Sequence, residues 1–264
     1  MIIDFHTHCF PEKIAEKSMN ILKNRSGIIH PSHNGTPASL VEAQRKAGVD
    51  YSVILNISTN PHQQRSVNNF AISLLDYEGV IPFGSVHPDS EDIFEELERL
   101  KEAGIKGIKF HPDYQDFFCD EERMIPVYEK IAELEFITVF HCGLDMGLPY
   151  PIHCSAQRLS TILPAFGGAP VVAAHFGGLS DCENTMKYLC GRDVYLDTAY
   201  CYGTLPPVAA REIIKLHGAD RILMASDAPW NDPADSIAMV KHFGVPEADE
   251  KKILGLNAAK LLKI

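Results

Sequence analysis

The sequence has no apolar run long enough to cross a bilayer and few features of a secreted domain. Its longest apolar stretches are strand-sized, well below the roughly 18 residues that a membrane-spanning helix needs. Its seven cysteines are scattered, odd in number and without a Cys-x-x-Cys pair, which favours reduced thiols. The first residues show neither the basic nor the apolar segment of a signal peptide. We therefore expect a cytoplasmic protein that does not bind a membrane.

Positive charge is also scarce. The chain has 24 Lys and Arg residues against 35 Asp and Glu residues, a formal net charge of −11, and its basic residues form no long cluster. An acidic surface repels phosphate backbones, so nucleic acid is excluded as an expected partner. The 264 residues, 45% hydrophobic and 22% charged, are typical of a globular protein that folds without disulfides.

Strand-like and helix-like segments alternate from one end of the chain to the other. The short apolar segments that we interpret as buried parallel strands are Met1–His8, Tyr51–Ser58, Val80–His87, Gly107–His111, Phe136–His141, Pro170–His175, Val194–Thr198 and Arg221–Asp227. Eight units in 264 residues give 33 residues each, about the size of a strand–helix unit. A doubly wound sheet would place a glycine-rich loop after the first strand, and none occurs there. We predict an α/β fold, a single-domain (β/α)8 TIM barrel over residues 1–264.

Polar side chains gather at the ends of these predicted strands, where a barrel carries its active site. The first strand ends in His6-Thr7-His8. Residues two apart on a strand point to the same face, so both imidazoles are expected in one cavity, where they suit Zn²⁺. A His-x-His pair alone is a weak signal, and its position at the end of the first strand is what makes a metal site the better interpretation.

Three further polar residues end predicted strands. His141 and His175 each follow an apolar run, and a glycine comes two residues after each of them. Either histidine alone is equally well explained as a buried structural residue. Asp227 ends the eighth strand, and a buried carboxylate there must be paired, hydrogen-bonded or metal-bound. Together the three favour a metal or general-base site at the mouth of the barrel.

These motifs resemble the amidohydrolase superfamily, and within it the amidohydrolase-related branch that includes aminocarboxymuconate-semialdehyde decarboxylase. The supporting segments, in family order, are Ile3–His8, Gly107–Pro112, Ala174–Gly178, Ser226–Trp230 and Leu256–Leu262. The resemblance implies that one divalent metal ion is held by His6, His8, His141 and Asp227. It implies Zn²⁺ first, with Mn²⁺ or another transition metal as an alternative. His175 and Asp227 are then the implied catalytic residues, and a homodimer is an expected assembly.

Three residues are expected to contact the substrate: Lys109, His111 and Trp230. In binuclear relatives a carboxylated lysine on the fourth strand bridges two metals, and Lys109 occupies that strand. The alternative, which we favour, is that Lys109 binds a substrate carboxylate or pairs with a buried acid. The irregular segment Gly27–Thr36 is the expected active-site loop.

The sequence therefore predicts a metal-dependent hydrolase that uses a metal-activated water on a small organic substrate bearing a carboxylate. The alternative is a lyase of the same family, a decarboxylase or hydratase, with the same ligands. A third hypothesis, a barrel without enzymatic activity, conflicts with the intact ligand set.

Overall fold

A computed structural model describes residues 1–27 and 30–264. The described residues form a ring of parallel strands: β1 (Ile3–Thr7), β2 (Tyr51–Leu55), β3 (Val80–Phe83), β4 (Gly107–Phe110), β5 (Ile137–Phe140), β6 (Val171–Ala173), β7 (Tyr195–Asp197) and β8 (Ile222–Leu223). The strands are short and almost wholly buried. Each strand contains β-branched or aromatic residues, which suit a strand that is covered on both faces.

The helices follow the strands on the outside of the ring: α1 (Glu12–Ser26), α2 (Pro37–Ala47), α3 (Gln64–Ser73), α4 (Ile93–Ala103), α5 (Pro112–Gln115), α6 (Ile125–Glu133), α7 (Ala156–Ile162), α8 (Cys182–Tyr188), α9 (Pro207–His217), α10 (Pro233–Lys241), α11 (Glu247–Lys251) and α12 (Asn257–Leu262). Among the helices of residues 1–27 and 30–264, none is both long and apolar enough to cross a membrane.

The ring is closed by backbone hydrogen bonds at two junctions. Strands β1 to β3 and strands β4 to β8 each pair in sequence order. The amide of Lys109 donates to Gly84 O at 2.8 Å and joins β3 to β4. The amide of Asp227 donates to His6 O at 2.9 Å, and the amide of His8 donates to Ala228 O at 2.7 Å, which joins the end of β8 to β1. The predicted barrel is therefore confirmed, with its first and last strands side by side.

The core has two layers, as a barrel requires. Inward-facing apolar residues fill the barrel, including Phe5, Phe83, Val139 and Val172, and a larger layer packs between the strands and the helices.

Strict alternation of side chains along β1 would put His6 on the outer face with Asp4. The register of β1 against β2 shifts between Asp4 and Thr7, and an irregularity of this kind turns the following side chain. His6 consequently reaches the interior together with Phe5.

The segment Ser39–Glu42 has the Ser-x-x-Glu pattern of a capping box, which predicts a helix that begins at Ser39. The helix α2 instead begins at Pro37, with Thr36 as its N-cap; the Thr36 hydroxyl accepts from the Ser39 amide at 3.3 Å. Helix α1, which is rich in Lys, Glu and Asn, was not predicted. Within the expected loop Gly27–Thr36, residues Ile28 and Ile29 lie outside the described residues.

Candidate active site

The first and last strands bring three predicted ligands together. Nε2 of His8 lies 3.1 Å from Oδ1 of Asp227, and Nε2 of His6 lies 3.4 Å from the same oxygen. The ring centroids of His6 and His8 are 5.1 Å apart. Asp227 has a left-handed backbone with φ 69°, a conformation that costs free energy in a residue other than glycine and is common at active sites. The carboxylate oxygen and the two imidazole nitrogens therefore converge on one point.

The hydrogen bond on the far side of His8 fixes which nitrogen carries its proton. Nδ1 of His8 is 2.9 Å from the carbonyl oxygen of Leu55. A carbonyl only accepts, so Nδ1 is the donor, and a neutral ring then presents the lone pair of Nε2 to Asp227. Two acceptors 3.1 Å apart repel each other unless a cation lies between them. The donor set, two imidazole nitrogens and one carboxylate oxygen, is the type that Zn²⁺ and Mn²⁺ accept, so these residues fit a divalent metal ion.

His6 is held in the same way by a carboxylate. Its Nδ1 lies 2.9 Å from Oδ2 of Asp197, which is wholly buried at the end of β7. The other oxygen of Asp197 accepts from the amides of His175 and Ala199 at 2.9 and 3.0 Å. A carboxylate behind a metal-ligating histidine sets its tautomer and orientation. Asp197 thus positions both His6 and the backbone of His175.

Lys109 lies under the three converging residues. Its ammonium nitrogen is 3.4 Å from Nε2 of His6, and the residue is wholly buried. Burial lowers the pKa of Lys109 to about 8, although the carboxylates of Asp197 and Asp227 favour its charged form. Burial, followed by the charge of Lys109, lowers the pKa of His6 well below its ordinary value. His6 therefore stays neutral and keeps a lone pair for a metal ion.

His175 and His141 form a second connected pair. Nδ1 of His175 is 2.9 Å from Ala199 O and must donate to it. When both rings are neutral, Nδ1 of His141 then donates to Nε2 of His175, at 2.9 Å. This leaves a lone pair on Nε2 of His141. That nitrogen is buried, and it has no hydrogen-bond partner among the described residues. Burial lowers the pKa of His141 well below its ordinary value.

His111 lies against His141 with a loop carboxylate that the sequence did not indicate. The His111 and His141 rings stack with centroids 4.0 Å apart. Nδ1 of His111 accepts from the Tyr114 amide at 3.3 Å, and its Nε2 lies 3.2 Å from Oδ2 of Asp145. No motif marks Asp145, because the carboxylate belongs to the segment after β5.

The predicted metal ligands therefore fall into two neighbouring groups. His6, His8 and Asp227 form one group of converging ligand atoms. His141 stands with His111 and Asp145 in the other, and reaches the first group through His175, whose ring centroid is 5.3 Å from that of His6. The role of His141 as a fourth ligand stays a prediction.

Trp230 lies beside this centre, and so does His33 of the expected active-site loop. The amide of Trp230 donates to Asp227 O at 2.8 Å, and the Trp230 residue is half-buried. His33 is buried, and its Nδ1 accepts from the Gly35 amide at 3.0 Å, whereas His30 is exposed. Burial, with a smaller contribution from His8, lowers the pKa of His33 to about 4.

Comparison with known families and sequences gives one match over the whole chain and one partial match. The family model described as amidohydrolase matches residues 3–264. A curated protein named myricetin 3-O-methyltransferase 3, from Solanum habrochaites, is 31% identical over 130 residues. That alignment covers 49% of this chain, and the chain spans only about a third (34%) of the relative's length.

Comparison with solved structures gives full-length matches at low identity. An uncharacterized TIM-barrel protein from Bordetella bronchiseptica is similar with a TM-score of 0.79 and 17% identity over 99% of this chain and 98% of that one. A 5-carboxyvanillate decarboxylase from Sphingomonas paucimobilis has a TM-score of 0.73 and 15% identity over 100% and 99%. A dihydroxybenzoic acid decarboxylase from Polaromonas, solved with manganese and the inhibitor 2-nitroresorcinol, has a TM-score of 0.71 and 17% identity over 99% and 96%. At such identities the likeness establishes the barrel fold.

Proposed function

Because the chain belongs to the amidohydrolase family, we propose that it is a metal-dependent lyase that removes the carboxyl group of a small organic acid. The observation that carries the proposal is the contact between Nε2 of His8 and Oδ1 of Asp227 at 3.1 Å. Both atoms are acceptors when His8 is neutral, and a cation relieves their repulsion. His6 and His8 supply the nitrogens and Asp227 the oxygen for that cation.

The bound metal ion would act as a Lewis acid toward a substrate oxygen. The donor set suits either Zn²⁺ or Mn²⁺, and the manganese in the Polaromonas decarboxylase favours testing Mn²⁺ first. Lys109, wholly buried beside His6, adds positive charge to the same end of the site. A substrate carboxylate is therefore drawn toward these residues.

Decarboxylation replaces a carbon–carbon bond with a carbon–hydrogen bond. The bond between the substrate carbon and its carboxylate breaks, the electron pair stays on the carbon, and CO₂ leaves. The carbon must then gain one proton. Asp227 directs only Oδ1 at His6 and His8, so we assign its other oxygen, Oδ2, to take a proton from solvent water and deliver it to that carbon. His175 is assigned to stabilise the negative charge that develops, and it does so in its doubly protonated form: Nδ1–H donates to Ala199 O, and the second proton, on Nε2, supplies the positive charge.

Hydrolysis was the first prediction from the sequence, and the same residues would serve it. What favours the lyase is the decarboxylase activity of the similar structures from Sphingomonas and Polaromonas, whose alignments cover nearly the whole of this chain.

The test uses protein loaded separately with Mn²⁺ and with Zn²⁺. Each form is incubated with hydroxylated benzoic acids, including 2,6-dihydroxybenzoate and 5-carboxyvanillate, and released CO₂ is measured. A parallel set of aryl esters, lactones and amides measures hydrolysis. We expect CO₂ from at least one acid, no CO₂ from Asp227→Asn, and unchanged turnover in the exposed control Asp76→Asn. Hydrolysis without any CO₂ would refute the lyase proposal.

A further inference from the structure

A wholly buried carboxylate, that of Asp4, connects β1 to the segment that follows β8. Its Oδ1 accepts from the Ser226 amide at 2.9 Å and from the His6 amide at 3.3 Å. Its Oδ2 accepts from the Ser226 hydroxyl and, at 2.8 Å, from Nε2 of Gln44 on α2. Asp4 therefore lies on the outer face of β1, between the strand and α2, behind the converging ligand atoms.

The burial of this charge is not explained by the stability of the fold. The groups that donate to Asp4 are all uncharged: two amides, one hydroxyl and one carboxamide. By contrast, the buried acid Glu96 is paired with the guanidinium groups of Arg65 and Arg99. A carboxylate that is buried among uncharged donors costs free energy. Such a departure from the rules of a stable core is expected where it supports a functional site.

The hydroxyl of Ser226 carries the contact with Asp4 across Asp227. It donates to Asp4 and accepts from the Ala228 amide at 2.9 Å, so it closes a turn around the residue between them. That residue, Asp227, has φ 69°, in the left-handed region that a side chain other than glycine occupies only with strain. With the turn closed, Oδ1 of Asp227 lies 3.1 Å from Nε2 of His8.

We propose that Asp4 is a positioning residue for the metal site. Its carboxylate acts through the Ser226 hydroxyl and holds Asp227 in the conformation that directs Oδ1 at the two histidines. Because Asp4 also accepts from the His6 amide, one carboxylate fixes the two ligand-bearing segments relative to each other. This inference rests on the proposed function, since it takes Asp227 as a ligand of the metal ion.

The test measures metal binding, with no turnover required. Wild type, Asp4→Asn, Ser226→Ala and the double variant are titrated with Mn²⁺ and with Co²⁺ in competition with a chromophoric chelator. The visible spectrum of bound Co²⁺ is also recorded, because its d–d bands depend on the number and geometry of the ligands and not on the stability of the fold. We expect each single variant to bind either metal about tenfold more weakly and to change the cobalt spectrum.

The double variant tests whether the hydroxyl is the route. Asn at position 4 has one acceptor oxygen where the carboxylate has two, and both of those oxygens face donors. If Asp4 acts through Ser226, the Asp4→Asn change should weaken metal binding no more than about twofold once the hydroxyl is absent. A tenfold loss in both backgrounds would show that the two residues act independently.

Two buried residues away from the ligands serve as matched controls. They are Glu96→Gln on α4 and Ser236→Ala on α10, and both side chains are wholly buried. These variants should lower the free energy of unfolding, measured in urea on the metal-free protein, and leave the metal affinity and the cobalt spectrum unchanged. If Asp4→Asn does not fold, Ser226→Ala decides the question, because its hydroxyl is the proposed connection.

Three outcomes overturn the inference: wild-type affinity and cobalt spectrum in Ser226→Ala, additive losses in the double variant, or losses of affinity as large in the controls. Decarboxylation is scored separately by CO₂ release. Wild type that releases CO₂, with variants that bind metal normally, refutes only the positioning role. Wild type that binds metal without releasing CO₂, with variants that bind it weakly, refutes only the reaction.

Discussion

Oδ2 of Asp197 lies 2.9 Å from Nδ1 of His6, although the two residues are 191 positions apart in the chain. The pair connects β7 to β1 across the interior of the barrel. The carboxylate accepts a hydrogen bond from Nδ1–H of His6. It therefore keeps the lone pair on Nε2 and directs that lone pair toward Asp227. Metal binding should therefore depend on a residue that does not itself contact the metal.

Replacing Asp197 with Asn should weaken metal binding about 10- to 100-fold. An amide at this position can donate to Nδ1 of His6, which would move the ring proton to Nε2 and remove the lone pair. Metal affinity is measured by competition with a chromophoric chelator. The control is Asp193→Asn, whose side chain is 72% exposed; equal affinities in the two variants would contradict the positioning role.

Replacing His175 with Gln should lower turnover roughly 10²- to 10⁴-fold and leave the metal content close to one ion per chain. The reason is that His175 contacts His141 and Ala199 O and does not belong to the group formed by His6, His8 and Asp227. Elemental analysis after dialysis separates the two effects. If the metal is lost, His175 is a ligand and the assignment of its role is wrong.

His33 should make the metal-free protein less stable in acid. Its folded-state pKa is about 4, below the roughly 6.5 of an unfolded histidine, so between these values the unfolded chain binds more protons than the folded one. Stability is then full above about pH 6.5 and falls as the pH decreases toward 4, by about 3 kcal/mol from this residue. His33→Gln should flatten that slope in urea unfolding with EDTA present. His30→Gln, at an exposed position, should not; equal slopes in wild type and His33→Gln would contradict the prediction.

Gly143 lies where β5 meets the loop after β6, with φ +85°. A Cβ there would be only 2.3 Å from the Leu179 amide nitrogen, and backbone cannot move aside as a flexible side chain can. Gly143→Ala should reduce the free energy of unfolding by roughly 2–5 kcal/mol. Gly191→Ala, at φ +77° with nothing within 4 Å, should cost only about 1 kcal/mol. If both variants lose a similar amount of unfolding free energy, the positive φ alone explains the loss at Gly143, and the contact with the Leu179 amide does not contribute.

The barrel, and the convergence of three of the four residues predicted as metal ligands, could be predicted from the sequence because their signals are local. A polar residue that ends an apolar strand is visible without coordinates, and the C-terminal ends of barrel strands meet at one mouth. His6, His8 and Asp227 follow this rule and converge. Even so, ideal strand alternation does not account for the inward turn of His6, which depends on the register shift in β1.

The supporting residues could not be found in this way. Asp145 lies in a loop, and its contact with His111 follows from how that loop folds back. The importance of Asp197 comes from two partners on other parts of the chain, Nδ1 of His6 and the amide of His175, and from the nearby amide of Ala199.

The placement of the proposed ligands on the first and last strands of the barrel has a consequence for biosynthesis. Asp227 is translated 219 residues after His8. A nascent chain would therefore hold only part of the proposed coordination sphere until β8 has emerged and docked beside β1. A product truncated before β8 would lack the Asp227 carboxylate, and its metal uptake should be weaker than that of the chain that includes β8.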